Sequence, residues 1–481
     1  MNREILFDCS LGQIRAAVIE DGVLCELHTE RNADQKLTET VFLGRVEQIR
    51  PSVGAAFIDI GQPLNAFLPL AEGEKLRCGD MVIVQGAAKQ ATETKGLRVS
   101  SKINLAGKWL VLIPDSDRVH ISKKVKDASL REELTRIAKE IRPENCGLIV
   151  RTASENVTQE ALKEEAQQLY AQWLVISQRA ASSRKPGILN ESMSLDMRLI
   201  RDMGSVELTR IISNDSTCIM RLEKEKELGH IHSQTEISFV EESHTLLFDL
   251  FGIESQIEKA LKKRVWLPCG GYLIIDECEA LTVIDVNSGK MTLGKNTEDT
   301  ALRVNLEAAQ EIARQIRLRS IGGIIIVDFI DMMILENRSA VIEKMRASSK
   351  ADRSLVKIEG ITKLGLLEMT RKRVDNSLSK RLLSTCTYCS GSATLVSADE
   401  TGYRALRQIR RMMLSGQRGP FVIRCTASTA SFLKECRLDS GVPAYVLVTP
   451  SKHAERFEIE QISESSVPPK GAEPIFEGLK S

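Results

Sequence analysis

Residues 281–290, LTVIDVNSGK, place two polar side chains in what otherwise reads as a buried strand. Leu281 to Val286 is apolar and β-branched and predicts a strand, yet Asp285 and Asn287 are residue types that sheets disfavour. Because positions i and i+2 of a strand face the same way, one face carries a carboxylate beside an amide. A buried carboxylate costs roughly several kcal/mol unless it is paired or bound to a metal. This strand therefore ends in an exposed site or beneath a cation.

A second strand follows, and it also ends in an acid. Residues 322–332, GGIIIVDFIDM, contain a continuous apolar run, which is typical of a strand covered on both faces, and the run ends in Asp328. Residues 301–320 between the two strands have apolar side chains at helical spacing. In α/β sheets, sites gather at the carboxyl ends of strands, where Asp285 would meet Asp328. Such a pair suits Mg²⁺, which uses few protein carboxylates and leaves room for phosphate oxygens.

The same acids have a simpler interpretation. An Asp at the end of a strand often caps a helix or begins a turn, with its carboxylate in water. Asp331, three residues beyond Asp328, would face the other side if the strand continued, so we assign it a structural or supporting role. From these residues alone, a magnesium site and a pair of solvated acids both stay open.

The composition is that of a large globular protein. The chain has 481 residues, too many for one ordinary core, and it is 42% hydrophobic and 27% charged. Its 66 basic and 65 acidic residues nearly cancel, so any surface for nucleic acid must be a local patch. No segment has the pattern of a membrane span or a signal peptide. The 11 cysteines are odd in number and scattered, which argues against a disulfide framework and indicates a reducing compartment.

Residues 36–105 predict a small β-barrel. Several short strands separated by turns fit the partly open five-stranded barrel that binds oligonucleotides. Phe57 and Phe67 lie on neighbouring strands, and Lys95 and Arg98 follow on a later loop and strand. Exposed rings beside cations are typical of single-strand binders, which stack bases and contact phosphates. The two rings could equally belong to the barrel core.

The rest of the chain mixes strands and helices. Residues 3–31 predict three strands joined by tight turns. A later strand ends in Arg151 and Thr152, and a long helix follows. Residues 394–481 predict a helix and strands of a small α+β domain. The fold class is therefore α/β and α+β, in several domains.

Cys386 and Cys389 form a C-x-x-C pair in a tight turn, which is half of a tetrahedral thiolate site. The sequence has no second C-x-x-C, whereas structural zinc takes four ligands. Two chains that each donate this pair would complete one zinc site and hold a dimer together. The alternatives are one zinc per chain, completed by Cys425 or Cys436, and a redox pair without metal.

These segments together resemble the ribonuclease E/G family of bacterial endoribonucleases over residues 1–395. The resemblance rests on the segments GAAFIDIG, NAFLPL, GLIVRT, EALTVIDVNSGK, NLEAAQEIARQIRLRSIGGIIIVDFIDM, GLLEMTRKR and CTYCSG. The long disordered scaffold tail typical of ribonuclease E is missing, so we expect the shorter ribonuclease G type and no large degradosome. The catalytic run is long and specific, and it does not match by chance.

The resemblance implies a magnesium-dependent endoribonuclease. In such an enzyme water attacks phosphorus in line and leaves a 5′-phosphate and a 3′-hydroxyl. Asp285 and Asp328 would be the magnesium ligands, and Asn287 would orient the second carboxylate or the scissile phosphate. The metal would lower the pKa of water and neutralise the developing charge.

The resemblance also implies RNA-binding residues outside the catalytic strands. Phe57 and Phe67 would stack bases, with Lys95 near a phosphate. Arg151 and Thr152 would grip a 5′-terminal monophosphate, because the planar fork of Arg suits phosphate oxygens. Cys386 and Cys389 would form a zinc-link between two chains.

Seven parts follow from the resemblance. The expected boundaries are an RNase H-like part at 1–35, an S1 (OB-fold) barrel at 36–105 inserted into it, a 5′-sensor region at 106–196, a second RNase H-like part at 197–262, a DNase I-like catalytic domain at 263–383, the zinc-link at 384–393 and a small C-terminal domain at 394–481. Expected partners are single-stranded RNA and further copies of the chain, as a homodimer or homotetramer. The expected roles are rRNA and tRNA processing and mRNA decay in the cytoplasm.

Two rival functions and one departure accompany this interpretation. The barrel and zinc-link could serve a non-catalytic RNA-binding or assembly protein, although such a protein has no need of paired acids. A metal site alone would also permit cleavage of DNA, since recognition of RNA needs contacts to the 2′-hydroxyl or to splayed bases. Lys363 stands where some relatives carry Arg, and it keeps the charge without the bidentate geometry. We therefore leave Lys363 without an assigned role.

Overall fold

A computed structural model gives the fold as two compact units, Met1–Arg381 and Leu382–Ser481. The described residues are 2–31, 37–70, 76–87, 96–155, 157–203, 208–289, 297–389, 391, 394–435, 444–449, 456–463 and 466–475. The predicted mixed α/β, multidomain class is confirmed, whereas the seven boundaries stay a prediction. Among the described residues, no helix combines the length and apolarity needed to span a bilayer.

The first unit contains most of the secondary structure. Its strands are β1 Arg3–Ser10, β2 Gln13–Glu20, β3 Val23–Arg31, β4 Val41–Arg50, β5 Ala55–Asp59, β6 Ala66–Pro69, β7 Met81–Gly86, β8 Val99–Ser100, β9 Leu105–Ala106, β10 Leu110–Pro114, β11 Val119–Ile121, β12 Cys146–Val150, β13 Gly187–Asn190, β14 Arg210–Ser213, β15 Glu236–Phe239, β16 Arg264–Trp266, β17 Tyr272–Glu277, β18 Leu281–Asn287, β19 Gly323–Asp328, β20 Val356–Ile361 and β21 Leu366–Arg371. Its helices are α1 Ala128–Ile141, α2 Gln159–Ser182, α3 Leu195–Met203, α4 Ser216–Glu227, α5 Leu247–Leu250, α6 Ile253–Ala260, α7 Thr297–Leu318, α8 Leu335–Ser349 and α9 Leu378–Leu382, which ends at the unit boundary.

The N-terminal sheet has the strand order β15-β14-β1-β2-β3. The three predicted strands of residues 3–31 are present, and φ is positive at Leu11, Gly12, Asp21 and Gly22 in the two turns between them. Positive φ at both central residues matches the twist of a tight hairpin. Strands β14 and β15 run parallel to β1, so two segments far apart in sequence share one sheet.

The second sheet, β6-β5-β4-β7-β8 with β13 beside β4, curves into a nearly closed barrel. The first and last strands meet where the amide of Phe67 donates to the carbonyl of Leu97 at 2.7 Å. The interior is filled by alternate side chains of these strands, among them Phe42, Val46, Ala56, Ile58, Leu68 and Val84. This geometry is consistent with the predicted oligonucleotide-binding barrel.

The third sheet, β11-β12-β10-β9, packs against α1 and α2. Glu165 of α2 is buried and accepts hydrogen bonds from the amides of Lys108, Trp109 and Leu110 at 2.6, 3.0 and 2.8 Å. Burial raises the pKa of Glu165, and the three amide donors oppose that rise. Helix α2 therefore fixes the backbone where β10 begins. Gly107, which accepts a hydrogen bond from Arg151, immediately precedes this segment.

The fourth sheet has the order β16-β17-β18-β19-β21-β20, and only β18 and β19 pair in parallel. Helix α7 makes the crossover between them. With α8, it covers one face of the sheet, where the core includes Ile275, Ile284, Val286, Ile325, Val327, Leu367, Val304, Ala308, Ile312 and Ile316. The other face is open, since Ile324 is 50% exposed and Val283 37% exposed. The prediction that the 322–332 strand is covered on both faces is therefore wrong. A continuous apolar run does not distinguish a strand covered on one face from a strand covered on both.

Buried charges connect the N-terminal sheet to α7. Arg317 contacts Glu20 at 2.9 Å and Glu26 at 3.1 Å, while Glu20 also pairs with Arg3 and Glu26 with Arg353. Burial on its own would raise the pKa of both carboxyls, but the arginines, and His28 beside Glu26, hold the pKa of both below the usual value. The pairing sets the position of α7, and with it β18 and β19, against the first sheet.

The second unit is a small α/β domain. It contains α10 Ala398–Leu414, α11 Ala427–Glu435, β22 Phe421–Cys425, β23 Ala444–Val448, β24 Glu458–Gln461 and β25 Glu473–Pro474, and its sheet order is β24-β22-β23-β25. The helix and strands predicted after residue 394 are present, and α10 and α11 pack against the sheet through a compact apolar core.

We expect Arg317→Met to lower the free energy of unfolding by about 3–5 kcal/mol, because it leaves two buried carboxylates without their shared partner. Thermal melting measures the loss. Arg346→Met, which removes an exposed pair with Glu343, is the control and should change stability by less than about 1 kcal/mol.

The same pair of proteins gives a pH test. The pKa of Glu20 and of Glu26 is lowered in the folded state, so their stabilisation is complete above the ordinary Glu pKa of about 4.3 and is lost as pH falls through the lowered values. The difference in melting temperature between wild type and Arg317→Met should therefore shrink below about pH 4. A difference that does not change with pH would contradict the assignment.

Candidate active site

Two carboxylates lie side by side on the open face of the fourth sheet. The register of β18 and β19 pairs Asp285 directly with Asp328, and neighbouring strands are about 4.8 Å apart. Both acids are exposed, while Ile284 and Val327 beside them are buried on the opposite face. The sequence predicted that these acids meet at the carboxyl ends of their strands. They lie together there, and both side chains project from the open face of the sheet.

Asn287 is part of the same group. Its side-chain amide donates to Oδ2 of Asp285 at 2.7 Å and so orients the first carboxylate, whereas the resemblance implied that it would orient the second carboxylate or the scissile phosphate. On the other side, Leu366 of β21 pairs with Asp328. The β20–β21 turn precedes Leu366 and presents Lys363 to solvent, so a cation lies on the hairpin that flanks the acid pair.

A buried amide on α7 holds the loop that follows Asp328. Asn305 is fully buried, its Nδ2 donates to the carbonyl of Ile330 at 2.8 Å, and its Oδ1 accepts from the amide of Ile330 at 3.1 Å. A buried side chain that satisfies both backbone groups of one residue leaves that residue little freedom. Asn305 therefore fixes how the chain leaves β19, and with it the placement of Asp328.

A carboxylate at the start of α7 reinforces the same region. Glu298 accepts from the amides of Met333 and Ile334 at 2.9 and 3.1 Å, near the first turn of α8, and from the side chain of Asn337. These donors hold the pKa of Glu298 below its usual value. A cavity of about 190 Å³ lies here, lined by Ser288, Thr297, Glu298, Thr300, Ala301, Ile330, Asp331 and Met333.

Asp331 lies in this cavity wall rather than on a strand. Strand β19 ends at Asp328, so the condition under which Asp331 would face the opposite side of the strand is not met, and its structural or supporting role stays a prediction. Asp331 is exposed in the loop that Asn305 holds. This loop connects the end of β19 to the start of α8.

The acid pair has the chemistry of a hard-metal site. The donors are all oxygen atoms, both carboxylates are exposed to an incoming ligand, and one is already oriented by an amide. Among the described residues no group of three or more His, Cys, Asp or Glu side chains could enclose a metal ion. Two carboxylates without a full cage fit Mg²⁺, which keeps several waters and takes the remaining oxygens from a phosphate.

The barrel places two rings on its outer surface. Phe57 and Phe67 are cross-strand partners, half-buried, with ring centroids 6.0 Å apart in an edge-to-face arrangement. The guanidinium of Arg50 lies 5.4 Å from the Phe57 centroid. The backbone of Arg98, whose side chain is exposed, forms an isolated β-bridge with that of Phe67. The neighbouring alternate positions fill the interior, so the rings are placed for stacking. Lys95 lies outside the described residues.

Arg151 follows β12 and is held by two acceptors. Its guanidinium donates to the carbonyl of Gly107 at 2.7 Å and to Asp202 at 3.0 Å. Burial alone would raise the pKa of Asp202, but Arg201 and Arg151 hold it below the usual value. Glu165 fixes the segment around Gly107, so the position of Arg151 depends on α2 as well as on its own strand.

Thr152 lies beside a short loop that carries exposed lysines. Its hydroxyl is 3.0 Å from that of Ser122, and Arg131 of α1 donates to the carbonyl of Ser122 at 2.7 Å. Lys123 and Lys124 follow on the exposed side of this loop. The end of β12 therefore carries a pair of hydroxyls and the exposed Lys123, while the ammonium of Lys124 donates to the carbonyl of Arg353 at 3.1 Å.

Cys386 is exposed and Cys389 half-buried in the turn before α10, both free of a disulfide bond. Cys425 instead lies in the apolar core of the second unit, and burial raises its pKa to about 11. A thiol held in that core is a poor candidate to complete a site with the C-x-x-C pair. Cys436 lies outside the described residues.

Sequence reasoning missed the residues that position the site. Asn305 had a detectable signal, since it is a polar residue among the apolar positions of α7. Glu298 and Asp202 had no such signal, because their partners are distant along the chain. Glu298 binds the amides before α8, and Asp202 binds the guanidinium of Arg151.

Comparisons with known proteins identify the family of the chain. The chain matches the Ribonuclease E/G family over residues 104–374. It is 32% identical to Ribonuclease G of Salmonella typhimurium (strain SL1344) over 95% of this chain and 99% of that protein. It is 38% identical to Ribonuclease E of Nostoc sp. over 73% of this chain and 53% of that protein, and 33% identical to Ribonuclease E of Escherichia coli K12 over 86% and 41%.

The fold defines a multidomain α/β protein in which two carboxylates share an open sheet face and another sheet curves into a nearly closed barrel. The chain belongs to the ribonuclease E/G family. This membership confirms the family predicted from the sequence and, with it, the prediction of an endoribonuclease.

The outer rings of the barrel give a prediction. We expect Phe57→Ala and Phe67→Ala each to weaken binding of single-stranded RNA by about 1–3 kcal/mol, because each removes a stacking surface. Their melting temperatures should stay near that of the wild type, because the rings lie outside the barrel core. RNA titration and thermal melting of the same samples separate the two effects.

Phe42→Ala is the control, since Phe42 is fully buried in the barrel. It should cost about 3–5 kcal/mol of stability without weakening the affinity of the folded fraction. If Phe57→Ala behaved like this control, the stacking role would be refuted.

Proposed function

We propose that the protein is a magnesium-dependent endoribonuclease that cuts single-stranded RNA and leaves 5′-phosphate and 3′-hydroxyl ends. The observation that carries the proposal is the in-register pair Asp285 and Asp328 on an open sheet face. Two adjacent carboxylates in water repel each other unless a cation lies between them, so the arrangement favours a bound metal over a structural role.

Each residue of the site has a distinct part in this chemistry. Asp285 and Asp328 hold Mg²⁺, and Asn287 keeps the first carboxylate in its binding orientation. The ion supplies Lewis acidity and neutralises charge that develops on the scissile phosphate. Asn305 and Glu298 keep the surrounding loops in place, so that the carboxylates need no rearrangement when the substrate arrives.

We expect Asp285→Asn and Asp328→Asn each to reduce the cleavage rate at least about a hundredfold, because a neutral amide is a poor magnesium ligand. RNA binding, measured separately with magnesium absent, should persist. Asp276→Asn is the matched control, because Asp276 is an acid one strand away that pairs with Lys263. Near-normal cleavage by either site variant would disprove the metal site.

The same assay separates the rival functions. A non-catalytic RNA-binding protein would bind the labelled strand and leave it intact with or without magnesium. A nuclease without sugar preference would cut DNA of the same sequence as fast as RNA, since the metal site itself does not distinguish the sugars. We expect cleavage of the RNA strand only.

The 5′ end of the substrate is proposed to bind beside Arg151 and Thr152. Arg151 is held by Gly107 and Asp202, which presents its guanidinium in one orientation, and the hydroxyl of Thr152, the next residue, is 3.0 Å from that of Ser122. A terminal monophosphate carries more charge than a 5′-hydroxyl and accepts several charge-assisted hydrogen bonds. The proposal is therefore that a 5′-monophosphate accelerates cleavage.

We expect a 5′-monophosphorylated RNA to be cut faster than the same RNA with a 5′-hydroxyl. Arg151→Ala should abolish this difference and leave the slower rate, measured as the ratio of the two rates. Arg142→Ala is the control, because Arg142 also donates to a backbone carbonyl in this sheet, that of Cys146. Equal rates on both substrates in the wild type would rule out the sensor.

Cys386 and Cys389 are proposed to share one zinc with the same pair of a second chain. The pair supplies two thiolates, a structural zinc takes four, and Cys425 is committed to the apolar core of its domain. A two-fold axis through the metal would then join two chains. A homodimer, or a homotetramer built from it, is the proposed assembly.

We expect half a zinc per chain, and Cys386→Ser should lose both the metal and the dimer. Metal analysis combined with light scattering measures both quantities. Cys278→Ser, which removes an exposed cysteine in the first unit, is the control and should change neither. One zinc per monomer, or a dimer without metal, would overturn the shared site.

The cellular role follows from the chemistry as a proposal. An enzyme that cuts single-stranded regions and favours 5′-monophosphates acts on RNA that has already been processed once. Maturation of rRNA and tRNA and decay of mRNA in the cytoplasm supply such substrates.

A further inference from the structure

An aromatic cluster lies on the edge of the fourth sheet, apart from the residues discussed above. The rings of Trp266 on β16 and Tyr272 on β17 are 5.3 Å apart in an edge-to-face arrangement. The guanidinium of Arg264 lies 4.6 Å from the Tyr272 centroid and 5.7 Å from that of Trp266. The three side chains support one another and leave Trp266 61% exposed.

The strand register places this cluster on the same face as the acid pair. Trp266 pairs with Tyr272, and Tyr272 pairs with Asn287, whose amide donates to Asp285. Directly paired residues project to the same side of a sheet, and so do residues i and i+2 of one strand. Two strand spacings and two residues separate Trp266 from Asp285, which amounts to about 12 Å.

Folding does not account for the exposed ring. The core of this sheet lies on the opposite face, under α7 and α8. Of the three Trp residues in the chain, Trp109 is buried and Trp173 half-buried, so Trp266 stands out. A side chain that keeps more than half of its surface in water contributes little hydrophobic stabilisation, whereas a flat ring beside an arginine suits a nucleobase.

We infer that Trp266 stacks on a base of the single-stranded RNA bound at the acid pair. The edge of Tyr272 holds the indole in place. Arg264 is stacked on Tyr272, and among the described residues no carboxylate pairs with it, so its N–H groups can reach a phosphate or a base edge. The inference rests on the proposed nuclease function and adds a base-binding subsite to it.

The distance limits which base is bound. About 12 Å corresponds to three or four nucleotides at the stacked spacing of about 3.4 Å, and to fewer in an extended strand. The stacked base therefore lies within four nucleotides of the scissile phosphate. Stacking accepts any base but is stronger for larger rings, so a purine at this position binds better than a pyrimidine.

The test uses an RNA with one cleavage site and a series of versions, each lacking one base within four nucleotides of that site. Binding is measured with Asp328→Asn protein, so that the RNA stays intact. One abasic position should weaken binding by about 5- to 150-fold, the range of one base stack. In Asp328→Asn/Trp266→Ala the same position should have no effect, and in Asp328→Asn/Trp266→Phe part of the effect should return.

Phe239→Ala in the Asp328→Asn protein is the matched control, because Phe239 is 50% exposed on an edge strand of a different sheet. It should keep the full abasic effect. Indole fluorescence gives a second readout, since RNA that covers Trp266 should quench emission and the Trp266→Phe protein should lose most of that quenching.

An abasic profile that is identical with and without Trp266 overturns the inference. The inference is also overturned if Trp266→Ala changes the oligomeric mass but leaves the abasic profile intact, because the ring would then contact another chain. Failure of the proposed function gives a different result. In that case the wild-type protein, with Asp285 and Asp328 both intact, leaves RNA uncut in magnesium.

Discussion

The parallel pairing of β18 with β19 is the constraint on which the candidate site depends. Parallel strands require a long crossover, and α7 provides it while filling the core beneath the sheet. The register then sets Asp285 beside Asp328. A shift of one residue would turn one of the two carboxylates into the apolar core, so the packing of α7 and the position of the acids are specified together.

Polar groups at the ends and edges of α7 extend this constraint outward. At its start, Glu298 holds the residues before α8, and in its middle Asn305 holds the loop after β19. Near its end, Arg317 joins two carboxylates of the N-terminal sheet. Asn305 and Arg317 are buried, and removing a partner from a buried polar group costs more than the contact itself contributes, so these two positions tolerate little change.

Aromatic residues are few, 4% of the chain, and several described ones that are exposed or half-buried lie near an arginine guanidinium, among them Phe57 and Trp266. Phe57 and its neighbour Phe67 form one such surface on the barrel, and Trp266 forms another on the fourth sheet. With a net charge of only +1, the protein has no bulk attraction for a polyanion. The proposed binding of single strands therefore depends on local pairs of ring and cation.

The sequence alone determined the strand, helix, strand order around the acids at 285 and 328, the turns at 11–12 and 21–22 and the family, because periodicity and turn chemistry are local properties. Tertiary structure decided which sheet faces stay open, that β19 ends at Asp328, and that Asn305 and Trp266 lie near the acids. Those features depend on register and on contacts between distant segments, and a one-dimensional pattern does not specify either.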